Sequence, residues 1–154
     1  MANRTPSDEV AARVRQVRTK RGMTVADLAA RCKEIGAPDL TAHALYKLEG
    51  QRESEHRRAR PVTVDELLAL AFALNVAPVH LLVPPDDSDE PYQITQTLTA
   101  TSRFAARGWI RGVGPLSGDR REFDTEVPQH EYYSPGRVDA PPLQGRWMSP
   151  EEDS

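Results

Sequence analysis

The chain has 154 residues, of which 38% are hydrophobic and 13 are prolines, with a formal net charge of −3. That is room for one domain of ordinary size plus an appendage, with too little apolar residue for a core from end to end. The longest apolar run, Leu67 to Leu74, falls far short of the ~20 residues of a membrane span, the N-terminus has no apolar signal region, and the lone Cys32 excludes an internal disulfide framework, so the expectation is a cytoplasmic, reducing home.

Five helices are expected between residues 6 and 83. Thr5-Pro6-Ser7-Asp8 supplies an N-cap hydroxyl, a proline at the first helical position and an acid three residues after the cap. Val10, Val14 and Val17 then share one face, and Gly22 ends the helix. The device recurs at Thr24 and Asp27, where Met23 is placed to staple onto Leu28. Leu28, Ala29 and Cys32 form the inward stripe of this second helix, and Cys32 reads as a small buried hydrophobe rather than a reactive thiol.

Residues 35–40, Ile-Gly-Ala-Pro-Asp-Leu, form a turn that needs its glycine and proline. Thr41 caps a third helix through about Glu49, with Leu45 and Leu48 inward and Gly50 at its end. A polar loop over 51–61 carries four arginines. Val62, Thr63, Glu66 and Leu67 then form another staple and capping box. From Leu67 to Leu74 the fourth helix is apolar on every face, the pattern of a helix buried inside a bundle. Asn75 suits a left-handed stop, and Pro78 starts a short fifth helix through Leu82.

Residues 84–91, Pro-Pro-Asp-Asp-Ser-Asp-Glu-Pro, read as an acidic, Pro-rich linker in which charge repulsion and proline oppose packing. Charge divides there too: residues 1–84 carry 13 Lys+Arg against 10 Asp+Glu, and residues 85–154 carry 7 against 13. Beyond the linker, Tyr92 to Ala100 alternates weakly, as a single strand without an evident partner. A short helix is expected near 102–110, pairing Ala105 with Trp109 and Ala106 with Ile110. The rest of 92–154 is expected to be mostly disordered, being rich in proline, glycine and acid from Gly112 onward.

Thr24-Val-Ala-Asp27-Leu28-Ala29 followed by Leu45-Tyr-Lys-Leu48-Glu49-Gly50 resembles the phage-repressor (Xre-like) helix-turn-helix family. Val14-Arg15 with Arg18 looks like that family's first helix, and Leu67, Leu70-Ala71, Leu74 and Val76 look like its last core helices. The resemblance covers about residues 8–83. It implies an all-α fold, a five-helix lambda-repressor-like DNA-binding bundle over 6–83, followed by the irregular acidic tail. The turn 35–40 is longer than the family's compact one, and Val25 stands where the family commonly has a DNA-anchoring glutamine, so that contact is not carried over.

With the third helix starting at Thr41, its outward positions are Ala42, His43, Tyr46 and Lys47. Lys47 suits guanine O6 and N7, His43 a base edge and Ala42 a thymine methyl, while Tyr46 suits the backbone. Thr24 and Thr41, at helix N-termini, suit phosphates, and Arg52, Arg57, Arg58 and Arg60 would add backbone grip. The alternatives are a solvated helix face at His43 and Lys47, and an exposed loop whose arginines are neutralised by Glu53 and Glu55. Glu49 reads as structural, tying its helix end to a neighbouring arginine.

No catalytic constellation is present: there is no HExxH, no Cys-x-x-Cys and no Walker loop, and Pro115 and a missing lysine disqualify Gly112–Gly118 as a phosphate cradle. The expectation is therefore a non-enzyme needing no metal or cofactor, a repressor that binds double-stranded DNA as a homodimer. Phe104, Trp109 and Ile110 stand out in the tail. They read either as a docking segment for a protein partner, as in an antitoxin-type regulator, or as residues folded back on the bundle. A third reading is that the acidic tail competes with DNA for the basic face.

Overall fold

The computed structural model describes residues 4–50, 60–129 and 131. The chain is mostly helical, in two compact units, Met1–Arg111 and Gly112–Ser154. The first holds α1 (Pro6–Lys20), α2 (Val25–Glu34), α3 (Ala42–Gly50), α4 (Val64–Ala73) and α5 (Pro78–Leu82). After these come β1 (Tyr92–Gln93), β2 (Thr99–Ala100) and α6 (Arg103–Ile110).

Three helices start on the same local device. Thr5, Thr24 and Thr63 each accept a hydrogen bond from the N–H three residues on, while Asp8, Asp27 and Glu66 reach back to the cap N–H. Each box occupies two of the donors that a helix start leaves without intrahelical partners. At α3 only the Thr41 hydroxyl does this, accepting from Ala44 N–H at 3.2 Å, and the first turn holds no acid. Gly22 (φ 65°) and Asn75 (φ 51°) take the left-handed conformation after α1 and α4, as their positions suggest.

Val10, Val14 and Val17 of α1 meet Leu28 and Cys32 of α2, Leu45 of α3, Leu70 and Leu74 at α4, and Leu81 of α5 in one core. Cys32 is fully buried, and that burial pushes its thiol up, so it acts as a core hydrophobe. The fourth helix departs from the expectation of burial on every side. Leu70, Ala71 and Ala73 are buried, while Val64, Leu68 and Phe72 are exposed. Only one side of α4 meets the bundle, and apolarity all round does not say which side that is.

The segment 84–91 is not a loose tether. Arg103 pairs with Asp86 and, at 2.6 Å, with Glu90, and its N–H donates to the Glu90 carbonyl. Arg107 donates to the carbonyls of Pro84 and Asp86. Arg103 thus neutralises two acids that, taken alone, would repel one another, while Arg107 ties down the backbone beside them. The compact unit accordingly runs on to Arg111 instead of ending before the acidic stretch.

Tyr92–Ala100 is likewise a hairpin rather than a single strand, with Tyr92 opposite Ala100 and Gln93 opposite Thr99. Tyr92 is buried, and its hydroxyl donates to the Leu82 carbonyl at 2.7 Å, while Ala100 and Ala106 are buried beside it. From Gly112 onward the chain also forms structure, α7 (Arg120–Asp124), capped by Asp119 and spanned by an Arg120–Asp124 ion pair at 3.5 Å.

His80, on α5, is partly buried, and Arg13 of α1 donates to its carbonyl at 3.0 Å. Burial first, then the charges of Arg111, Arg107 and Arg13, holds its imidazole below the ordinary 6.5. The unfolded chain therefore takes up this proton more readily than the folded one. The His80 contribution is complete above the ordinary imidazole pKa and lost as pH falls from there through the lower folded value. Thermal unfolding followed from about pH 7.5 down to about pH 5 should show Tm falling, with a smaller fall in His80→Gln.

Candidate nucleic-acid interface

The surface around α3 is built from the core outward. Leu45 is fully buried, Leu48 packs partly into the core, and Glu49 is buried at the end of the helix. With 3.6 residues per turn, this leaves His43, Tyr46 and Lys47 on one outer face, at i, i+3 and i+4. All three are exposed, Tyr46 by 65%. Ala42 sits at the edge of that face and packs partly against the core, because it lies three residues before Leu45 and seven before Glu49. Of the four outward positions expected, three form the open face and Ala42 borders it.

One arginine fixes where this helix sits. Arg18 of α1 grips Glu49 with two parallel bonds, Nε to Oε1 and Nη2 to Oε2, both 2.7 Å. Its remaining Nη1 donates to the Met23 carbonyl at 2.8 Å, just before α2 begins. The side chains are 14% and 7% exposed, so the pair is largely out of water. The bond to Glu49 raises the Arg18 pKa further above its already high value. α1, the start of α2 and the end of α3 are thereby tied at one point. The expectation that Glu49 ties its helix to a neighbouring arginine matches this geometry.

The long turn between α2 and α3 has its own structure. Gly36 is left-handed (φ 86°), and Ala37 N–H returns to the Cys32 carbonyl at 2.8 Å, closing the end of α2. Leu40 is buried and pins the far end of the turn to the core.

The phosphate candidates fall in different places. At Thr24 the Asp27 carboxylate already occupies the helix start, and the bond from Thr24 N–H is the first cause holding that carboxyl below its ordinary value. The negative charge there opposes a phosphate. At Thr41 no carboxylate competes. Arg60 pairs with Glu66, which is also the acid of the α4 capping box, so its charge is partly committed. Arg52, Arg57 and Arg58 lie outside the described residues. Between α3 and the approach to α4 runs a groove of about 240 Å³, whose lining includes Ala44, Lys47, Leu48, Val62 and Glu66.

In α6, Phe104 is 71% exposed and Trp109 37%, whereas Ile110 is partly buried. Phe104 therefore does not fold back as a cover. The residue of α6 that turns fully inward is Ala106. Arg103 and Arg107, which organise the acidic segment, carry no local signal, because their partners lie 13 to 23 residues away along the chain.

Comparison with protein-family models, with curated proteins and with solved structures finds no match to this chain. No helix among the described residues is long and apolar enough to cross a membrane.

Proposed function

We propose that the chain is a sequence-specific DNA-binding transcriptional regulator of the phage-repressor type, acting as a repressor in the cytoplasm without catalysis of its own. In this reading, residues 6–83 are a five-helix lambda-repressor-like domain, and α3 enters the major groove. The observation that carries it is the outer face of α3. His43, Tyr46 and Lys47 point away from the core on a short helix whose far end is anchored by a bidentate, part-buried ion pair. Base reading needs hydrogen-bonding side chains on a rigid element of this kind, and Lys47 and His43 supply donors at adjacent turns. The first turn of the same helix carries no carboxylate, which suits a backbone phosphate at its positive dipole end.

The test is binding of the full-length protein to DNA from around its own gene, against unrelated DNA of equal length, over a salt series. The reading requires a preference of about a thousandfold or more at physiological salt. Weak binding without preference would sink it. In the same assay, Lys47→Ala should cost roughly 1–3 kcal/mol on the preferred site and relax specificity at one base. An equal loss on every sequence would instead assign Lys47 to the phosphate backbone.

A second reading is supported by the exposure of Phe104 at the surface of α6. A protein partner docked there would make this an antitoxin-type or partner-dependent regulator. Phe104→Ala would then abolish capture of that partner while leaving DNA binding unchanged.

A further inference from the structure

Basic side chains from three helices gather where α5 packs between α1 and α6. Arg13 of α1 donates from Nε to the His80 carbonyl at 3.0 Å and from Nη1 to Gln16 Oε1 at 2.8 Å. Arg107 of α6 donates to the carbonyls of Pro84 and, at 2.8 Å, of Asp86. Arg111, exposed at the end of α6, follows Arg107 by one turn on the same side of the helix. The partly buried His80 imidazole lies in the field of all three guanidinium groups, and no carboxylate of the described residues is among the charges acting on it.

Neutral oxygens hold Arg13 and Arg107 in place without cancelling their charge, and each keeps N–H donors beyond the two it uses there. The nearest acids are engaged elsewhere: Asp86 pairs with Arg103, and Glu9 with Arg4 at 3.6 Å. Both still act on Arg13, yet burial outweighs them and holds its guanidinium below the ordinary value. Along α6, Arg107 and Arg111 are like charges four residues apart, a spacing that weakens a helix and that an anion laid across it would relieve.

Such a cluster suits a doubly charged, tetrahedral oxyanion, to which guanidinium groups donate in pairs and a protonated His80 adds one more charge. Duplex backbone is met by exposed side chains along a line, whereas Arg13 and His80 are partly buried and fit the terminal group of a small molecule. The cluster also stands apart from the outer face of α3, because α3 packs on α1 and α2 while α5 packs on α1, α4 and α6. We propose that Arg13, His80, Arg107 and Arg111 form a binding site for the phosphate group of a small phosphorylated molecule. The site is separate from the surface read as contacting DNA, and it stands or falls without that reading.

Sulfate, a dianion throughout the working pH range, is the first probe, and inorganic phosphate is the second. The histidine ring signals of the full chain are followed by NMR through a pH titration, in sulfate and in chloride at equal ionic strength. Sulfate should move the His80 midpoint up by at least about half a pH unit, equivalent to about threefold tighter binding to the protonated ring, and leave His43 of α3 in place. Calorimetry at about pH 6 should show one phosphate bound per chain with a dissociation constant of about 1 mM or below. Arg111→Gln should raise the His80 midpoint in chloride, because one repelling charge is gone, without lowering the melting temperature. The same variant should weaken phosphate binding at least about tenfold, as loss of a charged hydrogen bond does. Any one of four results would overturn the proposal: a His80 midpoint indifferent to sulfate, a shift at His43 as large as at His80, phosphate binding unchanged in Arg111→Gln, or bound phosphate displaced by duplex DNA.

Discussion

Glu49→Ala is expected to lower the unfolding free energy by about 3–5 kcal/mol, because it leaves the Arg18 guanidinium, only 14% exposed, without its partner. Small domains have about 5–15 kcal/mol in all, so this one change removes a large part of the margin. Urea unfolding measures it, with an unchanged slope showing that the unfolded state is not what moved. Joint replacement, Arg18→Met with Glu49→Leu, should recover most of the loss, since two apolar side chains need no ionic partner. DNA affinity of the double variant then separates two roles of the pair. Full affinity with recovered stability means that the pair only holds the fold. Reduced affinity with recovered stability means that it also sets the angle at which α3 is presented. A loss below about 1 kcal/mol in Glu49→Ala would mean that water reaches Arg18 and the pair behaves as a surface bridge.

The second large effect concerns where the first unit ends. A chain stopping at Pro85 should lose about 3–5 kcal/mol relative to the full chain, and one stopping at Arg111 should lose almost nothing. The shorter chain gives up the buried Tyr92, worth roughly 1.5–3 kcal/mol. It also gives up the bond from the Tyr92 hydroxyl to Leu82, about 1 kcal/mol, and the cover of Ala100 and Ala106. Every contact of the hairpin and α6 named above lies before Gly112. Equal stability of the two truncated chains would show that the hairpin and α6 add nothing to the bundle. The comparison also guards functional work: a loss of DNA binding on cutting at Pro85 reports unfolding, whereas a cut at Arg111 reports on the tail.

Helix starts were legible in the residues because a capping box is local: Thr24 and Asp27 are three apart wherever the chain goes. The core faces of α1 and α2 were legible for the same reason, since Val10, Val14 and Val17 repeat at helical spacing. α4 was not, because a run from Leu67 to Leu74 with no polar residue gives periodicity nothing to contrast. The acidic segment misled in a different way. Asp86 and Glu90 repel one another when counted along the chain, and only folding brings Arg103 between them. At the candidate site, the outer face of α3 followed from spacing, while the demotion of Ala42 to its edge needed the packing of Leu45 and Glu49.

The uneven capping of the helices has a dynamic consequence. α1, α2 and α4 begin on a reciprocal pair of bonds, but α3 begins on the single bond to Thr41. Nine residues are too few for a helix to persist by itself in water, so α3 keeps its shape through Leu45 and Glu49. Its first turn is the place where amide protons should exchange soonest, ahead of the global opening that governs α1. A phosphate placed at that turn would close it, coupling local order in α3 to occupancy of the surface it presents.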